Sequence, residues 1–352
     1  MERLELTRRI DDLDVLRGFA LLGILLMNAI PLLHLSDPAP GTIDVSYQRF
    51  LYLFVEARFF SLFSFLFGVG FYLFITRASG KGRNGYLLFL KRVVVLFGFG
   101  WLHMKVHPGE ALSVYAVCGL LLLPMYKVGK WINLAVGLAL TVAFSVMAAK
   151  ILLPLSLILL GIAAGQFRVF EKLARHRGRL ALFTLIMLAL SAAALFYQYG
   201  LAPEGPFSPY LIGGTGSSET EQANAFMSAG VMIGPIVSGL YAGTILLLLQ
   251  RKAGRMLLLP LKFYGRMALT NYIGQTALVI AAGDWLSLRG NIGWTELLGY
   301  LLAIHIVLMA FSMLWLKWFA MGPLEWIWRA LTYFRWPPVL NRKRGNKSAA
   351  GG

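Results

Sequence analysis

The densest group of residues that could do chemistry is the segment His103-Met-Lys-Val-His107-Pro-Gly-Glu110. A histidine beside a carboxylate can act as a general base, because the carboxylate fixes the imidazole tautomer and stabilises its charged form. We predict that His103 is a catalytic base supported by Glu110. His103 and His107 are four residues apart, which also suits a metal, but a third ligand would have to come from Glu110 or another loop. An ordinary polar loop at a membrane surface is the simpler alternative.

Charged side chains also stand within apolar runs, where their cost makes each of them a functional hypothesis. Asp14 and Arg17 share a helical face and can pair. Either the pair reaches the membrane interface, or Arg17 binds a phosphate-bearing ligand from the cytoplasm. Asn28 follows on the same helix, near its outer end. Glu56 and Arg58 are two residues apart and point to different faces, so we expect each to meet another helix or a water-filled cavity.

A polar stripe marks the ninth apolar run. Asn271 and Gln275 are four residues apart on one face, and hydrogen bonding between helices is the simpler interpretation of such amides. Arg266 begins the same run. Together with Arg17 and Arg92 it would offer a cytoplasmic anion three guanidinium groups at the inner ends of three helices.

The elements that must position these residues are membrane helices. The chain has 352 residues, of which 58% are hydrophobic and 14% charged, and its mean hydropathy is +0.68. Soluble domains are about 25% charged. We predict an all-α, polytopic membrane protein, with one transmembrane domain over residues 1–336 and about ten spans of the length that a bilayer requires. The predicted spans are 13–33, 50–76, 86–103, 111–126, 131–149, 151–167, 180–199, 225–249, 266–283 and 297–318. Only Lys150 and Pro154 separate the fifth and sixth, so these two could form one bent element.

The basic residues predict the orientation. The net charge is +17, but the basic residues lie in short loops between apolar runs, so we exclude a nucleic-acid-binding protein. With the N-terminus inside, 27 of the 33 Lys and Arg residues fall in inside segments and 4 in outside segments. This asymmetry predicts that both termini are cytoplasmic. Residues 322–336 predict an interfacial helix under the inner leaflet, and residues 337–352 a basic, disordered tail.

The single cysteine and the absence of several sequence motifs exclude some kinds of site and enzyme. A disulfide within the chain is excluded, because Cys118 is its only cysteine; it lies in an apolar run, where packing is the expected role. The sequence holds no Walker-type phosphate loop, no zincin motif and no serine-hydrolase elbow. We therefore predict no bound cofactor or metal and no ATP-driven pump.

Several ordered segments resemble those of the YeiB-like bacterial membrane proteins, a family described as a domain of unknown function. They extend along nearly the whole chain, although Glu110 stands where the family usually has Asp. The segments are Leu13 to Asn28, Phe60 to Gly70, His103 to Gly119, Gly265 to Gln275 and Gly322 to Tyr333.

The family is similar, more distantly, to membrane acyltransferases. One such group transfers acetyl from cytoplasmic acetyl-CoA to glucosamine sugars, and another O-acylates cell-surface polysaccharides. The polysaccharide group has a histidine eleven positions after an arginine of the first helix, where this chain has Asn28. The glucosaminide group also has Asn there and uses a histidine of the following outside loop, which His34 matches loosely. His34 is therefore the second candidate base.

The resemblance implies a transmembrane acyltransferase of the bacterial cytoplasmic membrane with acyl-CoA as co-substrate. The acyl-CoA phosphates would lie near the three inner arginines, and the acyl group would pass Asn28, Glu56 and Arg58. An extracytoplasmic glycan or lipid would accept it beside His103. The alternative is a transporter or lipid flippase in which Asp14, Glu56 and Arg58 are coupling charges. The sequence allows a homo-oligomer but does not predict the oligomeric state.

Overall fold

The long apolar runs form helices, because a helix satisfies its backbone hydrogen bonds internally where the bilayer offers none. A computed structural model describes residues 10–173, 176–208 and 218–340, with side chains from 220 onward in the last range. Residues 1–9 and most of the predicted basic tail, 341–352, lie outside the described residues. In chain order the helices of the described part are α1 (Asp11–Leu32), α2 (Ile43–Phe54), α3 (Arg58–Ser79), α4 (Gly85–Met104), α5 (Leu112–Leu121), α6 (Lys130–Val146), α7 (Leu153–Gln166), α8 (Val169–Lys172), α9 (Arg177–Gly200), α10 (Ser218–Leu248), α11 (Lys252–Leu257), α12 (Leu259–Arg266), α13 (Ala268–Trp285), α14 (Trp294–Trp318) and α15 (Pro323–Tyr333).

An all-helical membrane protein is confirmed, but ten spans are not. Within the described residues, six helical segments are long and apolar enough to cross a membrane: α1, α2 with α3, α4, α9, α10 from Thr220 onward, and α14. The predicted fourth, fifth and sixth spans are the shorter helices α5, α6 and α7. The predicted ninth span corresponds to α13, which begins two residues later than predicted, at Ala268.

The second predicted span is interrupted, which corrects the continuous helix expected from its hydropathy. Helix α2 ends at Phe54, and α3 begins at Arg58 after Ala57 adopts a left-handed conformation with φ 62°. Glu56 and Arg58 therefore flank a helix break and do not lie on two faces of one helix. The fifth and sixth predicted spans are two helices and not one bent element, because a turn with Ala148 at φ 49° separates α6 from α7.

Glycines allow two pairs of helices to pack backbone against backbone. An added Cβ on Gly18 of α1 would lie 2.1 Å from the carbonyl oxygen of Leu261 in α12, and one on Gly265 would overlap the Asp14 carbonyl. The same relation holds between α3 and α7, through Gly68 and Gly161. Small residues at such crossings are typical of membrane helix pairs, where close van der Waals packing replaces the hydrophobic effect.

Hydrogen bonds join segments that are predicted to lie on the same side of the membrane. At the predicted outer end, both carboxylate oxygens of Asp44 accept backbone hydrogen bonds from Trp294 and Thr295 at the start of α14, at 3.1 and 3.0 Å. At the predicted inner end, the Trp328 indole of α15 donates to the Arg92 carbonyl at 2.8 Å. Which end faces the cytoplasm remains a prediction.

Candidate functional site

A cavity of about 670 Å³ opens at the predicted inner end, between α1, α3, α4, α5, α12, α13 and α15. Its described lining carries seven basic side chains and two carboxylates, a formal excess of five positive charges. The basic residues are Arg17, Arg77, Lys81, Arg83, Arg92, Arg266 and Arg329, and the acidic residues are Asp14 and Glu325. The structure thus brings together Arg17, Arg92 and Arg266, the three arginines that the sequence assigned to one anion site.

Arg17 lies in the wall of this cavity with its guanidinium oriented by two neighbours. Its Nη1 lies 3.2 Å from Oδ1 of Asp14, in the ion pair expected from their spacing, and its side chain is 26% exposed. An added Cβ on Gly70 of α3 would lie 3.2 Å from Nη2. Gly70 therefore leaves the room that the guanidinium occupies.

Arg92 and Arg266 are held differently. The Arg92 guanidinium stacks on the Trp328 ring, 3.5 Å from its centroid. It also lies 5.0 Å from the ring centroid of Phe74 in α3. Such cation–π contacts fix a guanidinium without neutralising it. Arg266 donates from Nη2 to the Ala320 carbonyl at 3.5 Å. The cavity lining therefore combines fixed guanidinium groups with a formal excess of positive charge.

The deep part of the cavity is aromatic and ends against the predicted catalytic segment. Phe63, Phe67, Tyr115 and Tyr272 line it. The Tyr272 ring lies 5.2 Å from the ring of His103, and the Asn28 side chain lies against the Tyr272 hydroxyl. A layer one aromatic ring thick thus separates the cavity from His103.

His103 is held between a carboxylate and a hydroxyl. Its Nε2 lies 2.9 Å from Oγ1 of Thr276, and its Nδ1 lies 3.7 Å from Oε1 of Glu110, a charge contact longer than a hydrogen bond. The Glu110 carboxylate is fixed by the backbone N–H groups of Leu112 and Ser113, which both donate to it. A carboxylate, an imidazole and a hydroxyl in this order form the arrangement by which a histidine is oriented as a base.

This cluster is buried, which argues against the simpler alternative of an ordinary polar loop at the membrane surface. The His103 and Glu110 side chains are 3% and 0% exposed. Thr276 lies eight residues into α13, so at 1.5 Å per residue the cluster is about 12 Å from the start of that helix, near its middle. His103 is the last residue but one of α4, so α4 ends beside the middle of α13.

His107 is the least satisfied residue of the cluster. It is 1% exposed, and among the described residues neither of its ring nitrogens has a hydrogen-bond partner. Burial, with the nearby His103, lowers the pKa of His107 from 6.5 to about 4, although Glu110 opposes the shift. Burial alone would raise the pKa of Glu110, but the hydrogen bonds to its carboxylate outweigh burial and lower it. In the part of the chain that the structure describes, no group of three His, Cys, Asp or Glu side chains could hold a metal ion.

Two other predicted charges lie away from the cavity, beside the break between α2 and α3. Glu56 pairs with Lys150, Oε1 to Nζ at 2.5 Å. Arg58 is fully buried and donates to the Gly230 carbonyl at 2.8 Å and to Oε1 of Gln198 at 2.6 Å. Arg58 thus meets other helices, one of the two surroundings expected for it, whereas Glu56 meets a lysine of the turn between α6 and α7.

The remaining predicted residues also lie outside the cavity lining. Asn271 donates to the Tyr264 carbonyl at 2.7 Å and to Ser312 Oγ at 2.9 Å. Gln275 donates to the Tyr264 hydroxyl at 2.6 Å. These contacts link helices, which is the simpler interpretation that the sequence offered for the polar stripe. His34 is exposed in the loop after α1, with φ 51°.

Sequence reasoning missed Thr276, Tyr272 and Glu325 as parts of the site. Glu325 accepts hydrogen bonds from the Leu269 and Thr270 backbone N–H groups at 2.8 and 3.2 Å, so α15 caps the start of α13. Burial raises the pKa of Glu325 despite these hydrogen bonds. A carboxylate inside the Trp-rich segment was the available signal for Glu325, whereas nothing in the sequence distinguishes Thr276.

Comparisons with known proteins show which family the chain belongs to. A family model described as a protein of unknown function (DUF418) matches residues 205–335. The chain is 52% identical over 346 residues to an uncharacterized 39.9 kDa protein in the amylase 3′ region of Bacillus acidopullulyticus, covering 98% of this chain and 100% of that protein. The chain belongs to the DUF418 family.

Two further DUF418-like relatives carry the resemblance seen in the sequence. The uncharacterized protein YxaH of Bacillus subtilis (strain 168) is 27% identical over 96% of this chain and 97% of its own length. The uncharacterized protein YeiB of Escherichia coli (strain K12) is 25% identical over 94% of this chain and 98% of its own length. The predicted membership of a YeiB-like family is confirmed. No solved structure matches the chain.

Proposed function

We propose that this DUF418 protein is a membrane acyltransferase that binds acyl-CoA in the basic cavity and transfers the acyl group to a hydroxyl or amine acceptor. The observation that carries the proposal is the composition of the cavity, with basic side chains at its mouth and aromatic rings at its depth, beneath a buried His–Glu pair. Guanidinium groups suit phosphates, and an apolar depth suits a pantetheine arm with its acyl chain. The volume of about 670 Å³ lies within the usual range for ligand sites.

The buried pair supplies the chemistry that acyl transfer needs. The acceptor O–H or N–H attacks the thioester carbonyl carbon while a base removes its proton; the C–S bond then breaks, and the CoA thiolate takes up a proton. We assign the base to His103, whose Nε2 holds the Thr276 hydroxyl in the position that an acceptor hydroxyl would take. Glu110 orients the imidazole and stabilises its cationic form.

His107 and Asn28 fit the same proposal. A buried imidazole with two unsatisfied nitrogens costs free energy, and a polar acceptor or ordered water beside it would remove that cost. Asn28 and Tyr272 lie between the cavity and this cluster, so a movement of the Tyr272 ring would join the two spaces. The transport alternative gains no specific support, because Glu56 and Arg58 lie in contacts away from the cavity.

The proposal is tested by following the acyl group itself. Inverted membrane vesicles from cells that express the chain are given acetyl-CoA, and in parallel longer acyl-CoAs, labelled in the acyl group. We expect label to be retained in the glycan or lipid fraction of wild-type vesicles and His103→Gln to lower the rate by about 100-fold or more, the usual contribution of a general base.

The matched control is His34→Gln, because His34 is the exposed second candidate. We expect it to leave the rate unchanged. Retained activity in His103→Gln together with loss in His34→Gln would move the base to the outer loop. Equal label in wild-type vesicles and in vesicles without the chain, at every acyl length, would contradict acyl transfer.

A further inference from the structure

A second groove lies outside the cavity, where the start of α4 meets the end of α15. Its volume is about 570 Å³, and its lining includes Arg83, Arg329 and Arg335 together with Leu87 and Leu88. Arg83 and Arg329 also line the cavity, whereas Arg335 and the two leucines do not. The groove is thus a neighbouring space with its own basic residue.

The described lining of this groove contains three guanidinium groups and no carboxylate. Arg83 and Arg329 both lie over the ring of Tyr333, at 5.4 and 5.8 Å from its centroid. The aromatic ring therefore gathers two like charges beside Arg335 without neutralising them. An anion with several acceptor oxygens is the ligand that such a group favours.

An apolar face continues from the groove along α4. Its side chains recur every three or four residues and are all exposed: Leu87, Leu90, Val94, Phe97 and Trp101. The fourteen steps from Leu87 to Trp101 extend about 21 Å at 1.5 Å per residue. In a helix long and apolar enough to cross a membrane, such a face contacts lipid chains.

We propose that this groove is a binding site for one anionic phospholipid, with its phosphate between Arg83, Arg329 and Arg335 and its acyl chains along the exposed face of α4. Basic groups beside a membrane helix attract anionic lipids, and here the phosphate site and the chain surface are continuous. Because α4 and α15 both line the groove, the lipid ties α15 to the bundle. It thereby supports the cavity wall formed by Trp328 and Glu325.

The test uses the purified full chain in neutral detergent, with phosphatidylglycerol or zwitterionic phosphatidylcholine added at equal concentration. We expect phosphatidylglycerol to raise the Tm by several degrees more than phosphatidylcholine, since a ligand that binds the folded state stabilises it. Native mass spectrometry should show one retained phosphatidylglycerol. Glycerol phosphate at the same concentration should leave the Tm unchanged, because it lacks the acyl chains; an equal rise would assign the groove to a free phosphate and overturn the proposal.

Arg335→Gln is the deciding variant, because Arg335 is exposed and lines only the groove. Arg179→Gln is its control: Arg179 is an exposed arginine at the start of another membrane helix and lines neither space. We expect the lipid-dependent rise in Tm to be lost in Arg335→Gln and kept in Arg179→Gln. Equal loss in both variants, equal retention in both, or equal stabilisation by the two lipids would overturn the proposal.

The lipid site and the proposed acyl-CoA site can fail separately. If Arg335→Gln weakens acyl-CoA binding and leaves the phosphatidylglycerol effect intact, the groove belongs to the acyl-CoA site and not to a lipid. If the lipid effect behaves as expected while acyl-CoA does not bind, the groove remains a lipid site and only the proposed enzyme activity is lost.

Discussion

At the scale of single residues, the candidate site is defined by how buried polar groups are satisfied. The Glu110 carboxylate accepts two backbone hydrogen bonds and faces Nδ1 of His103, whose Nε2 contacts Thr276. His107 beside them has no partner among the described residues. A protein that buries an unsatisfied imidazole next to an oriented one loses stability there, which is typical of a site that receives a ligand or water.

The pKa of His107 gives a prediction for stability against pH. Its folded-state pKa of about 4 lies below the ordinary value of 6.5, so the folded state disfavours the proton that the unfolded state binds. The contribution to stability is therefore complete above pH 6.5 and is lost as the pH falls toward 4. We expect the free energy of unfolding in detergent to fall by on the order of 2 kcal/mol through this window.

Variants separate His107 from its neighbours. His107→Gln should make the pH dependence between 4.5 and 6.5 shallower, since the lowered pKa of Glu110 acts only below its ordinary value of 4.5. His176→Gln, at an exposed histidine before α9, should leave the slope unchanged. The same slope in wild type and His107→Gln would contradict the assigned burial of His107.

At the scale of helices, the cavity depends on how closely α1 and α12 approach. Gly18 meets the Leu261 carbonyl, and Gly265 meets the Asp14 carbonyl, with no space for a Cβ. This crossing sets Arg266 beside Arg17 at the cavity mouth. Gly18→Ala should therefore lower the free energy of unfolding by about 1–3 kcal/mol, the usual cost of overpacking.

Gly98→Ala in α4 is the matched control for this crossing. An added Cβ there meets nothing within 4 Å, and alanine favours a helix over glycine. We expect its Tm to be unchanged or slightly higher than that of the wild type. A Tm for Gly18→Ala equal to that of Gly98→Ala would show that the two helices are not in contact at this crossing.

Sequence reasoning predicted most of the helices and failed where contacts between distant residues determine the local structure. Hydropathy predicted helices at α1, α4, α9 and α14, because each is a continuous apolar run. It could not predict the break before Arg58, since that break depends on contacts of Arg58 with distant Gly230 and Gln198. It placed His103 at the outer end of its span but could not predict that α4 ends beside the middle of α13, because the contact with Thr276 has no signature in local composition.

At the scale of the whole molecule, the charge asymmetry predicts which ends of the helices are cytoplasmic. Cys118 is the only cysteine and is buried, so a Cys118→Ala background suits labelling. In that background we expect Lys81→Cys to react with a membrane-impermeant maleimide only in inverted vesicles and Arg289→Cys only in intact cells. Both positions are exposed. Reaction of both from one side would contradict the predicted orientation.

The position of Arg17, Arg92 and Arg266 at one cavity could be predicted from the positive-inside pattern, since all three stand at predicted inner helix ends. The sequence did not predict that Arg77, Arg83 and Arg329 line the same cavity, because this requires α15 to fold back against α4. The aromatic depth beneath them also comes from three separate helices. The cavity is therefore a property of the assembled bundle.

The most direct test of the account is calorimetric binding of acetyl-CoA and longer acyl-CoAs to the purified protein. We predict saturable binding to the wild type, at least tenfold weaker binding to Arg17→Gln, which removes a charge from the cavity, and unchanged binding to Arg179→Gln, which removes one elsewhere. Absence of binding at every acyl length to a folded protein, or equal weakening in both variants, would contradict the proposal that the basic cavity holds acyl-CoA.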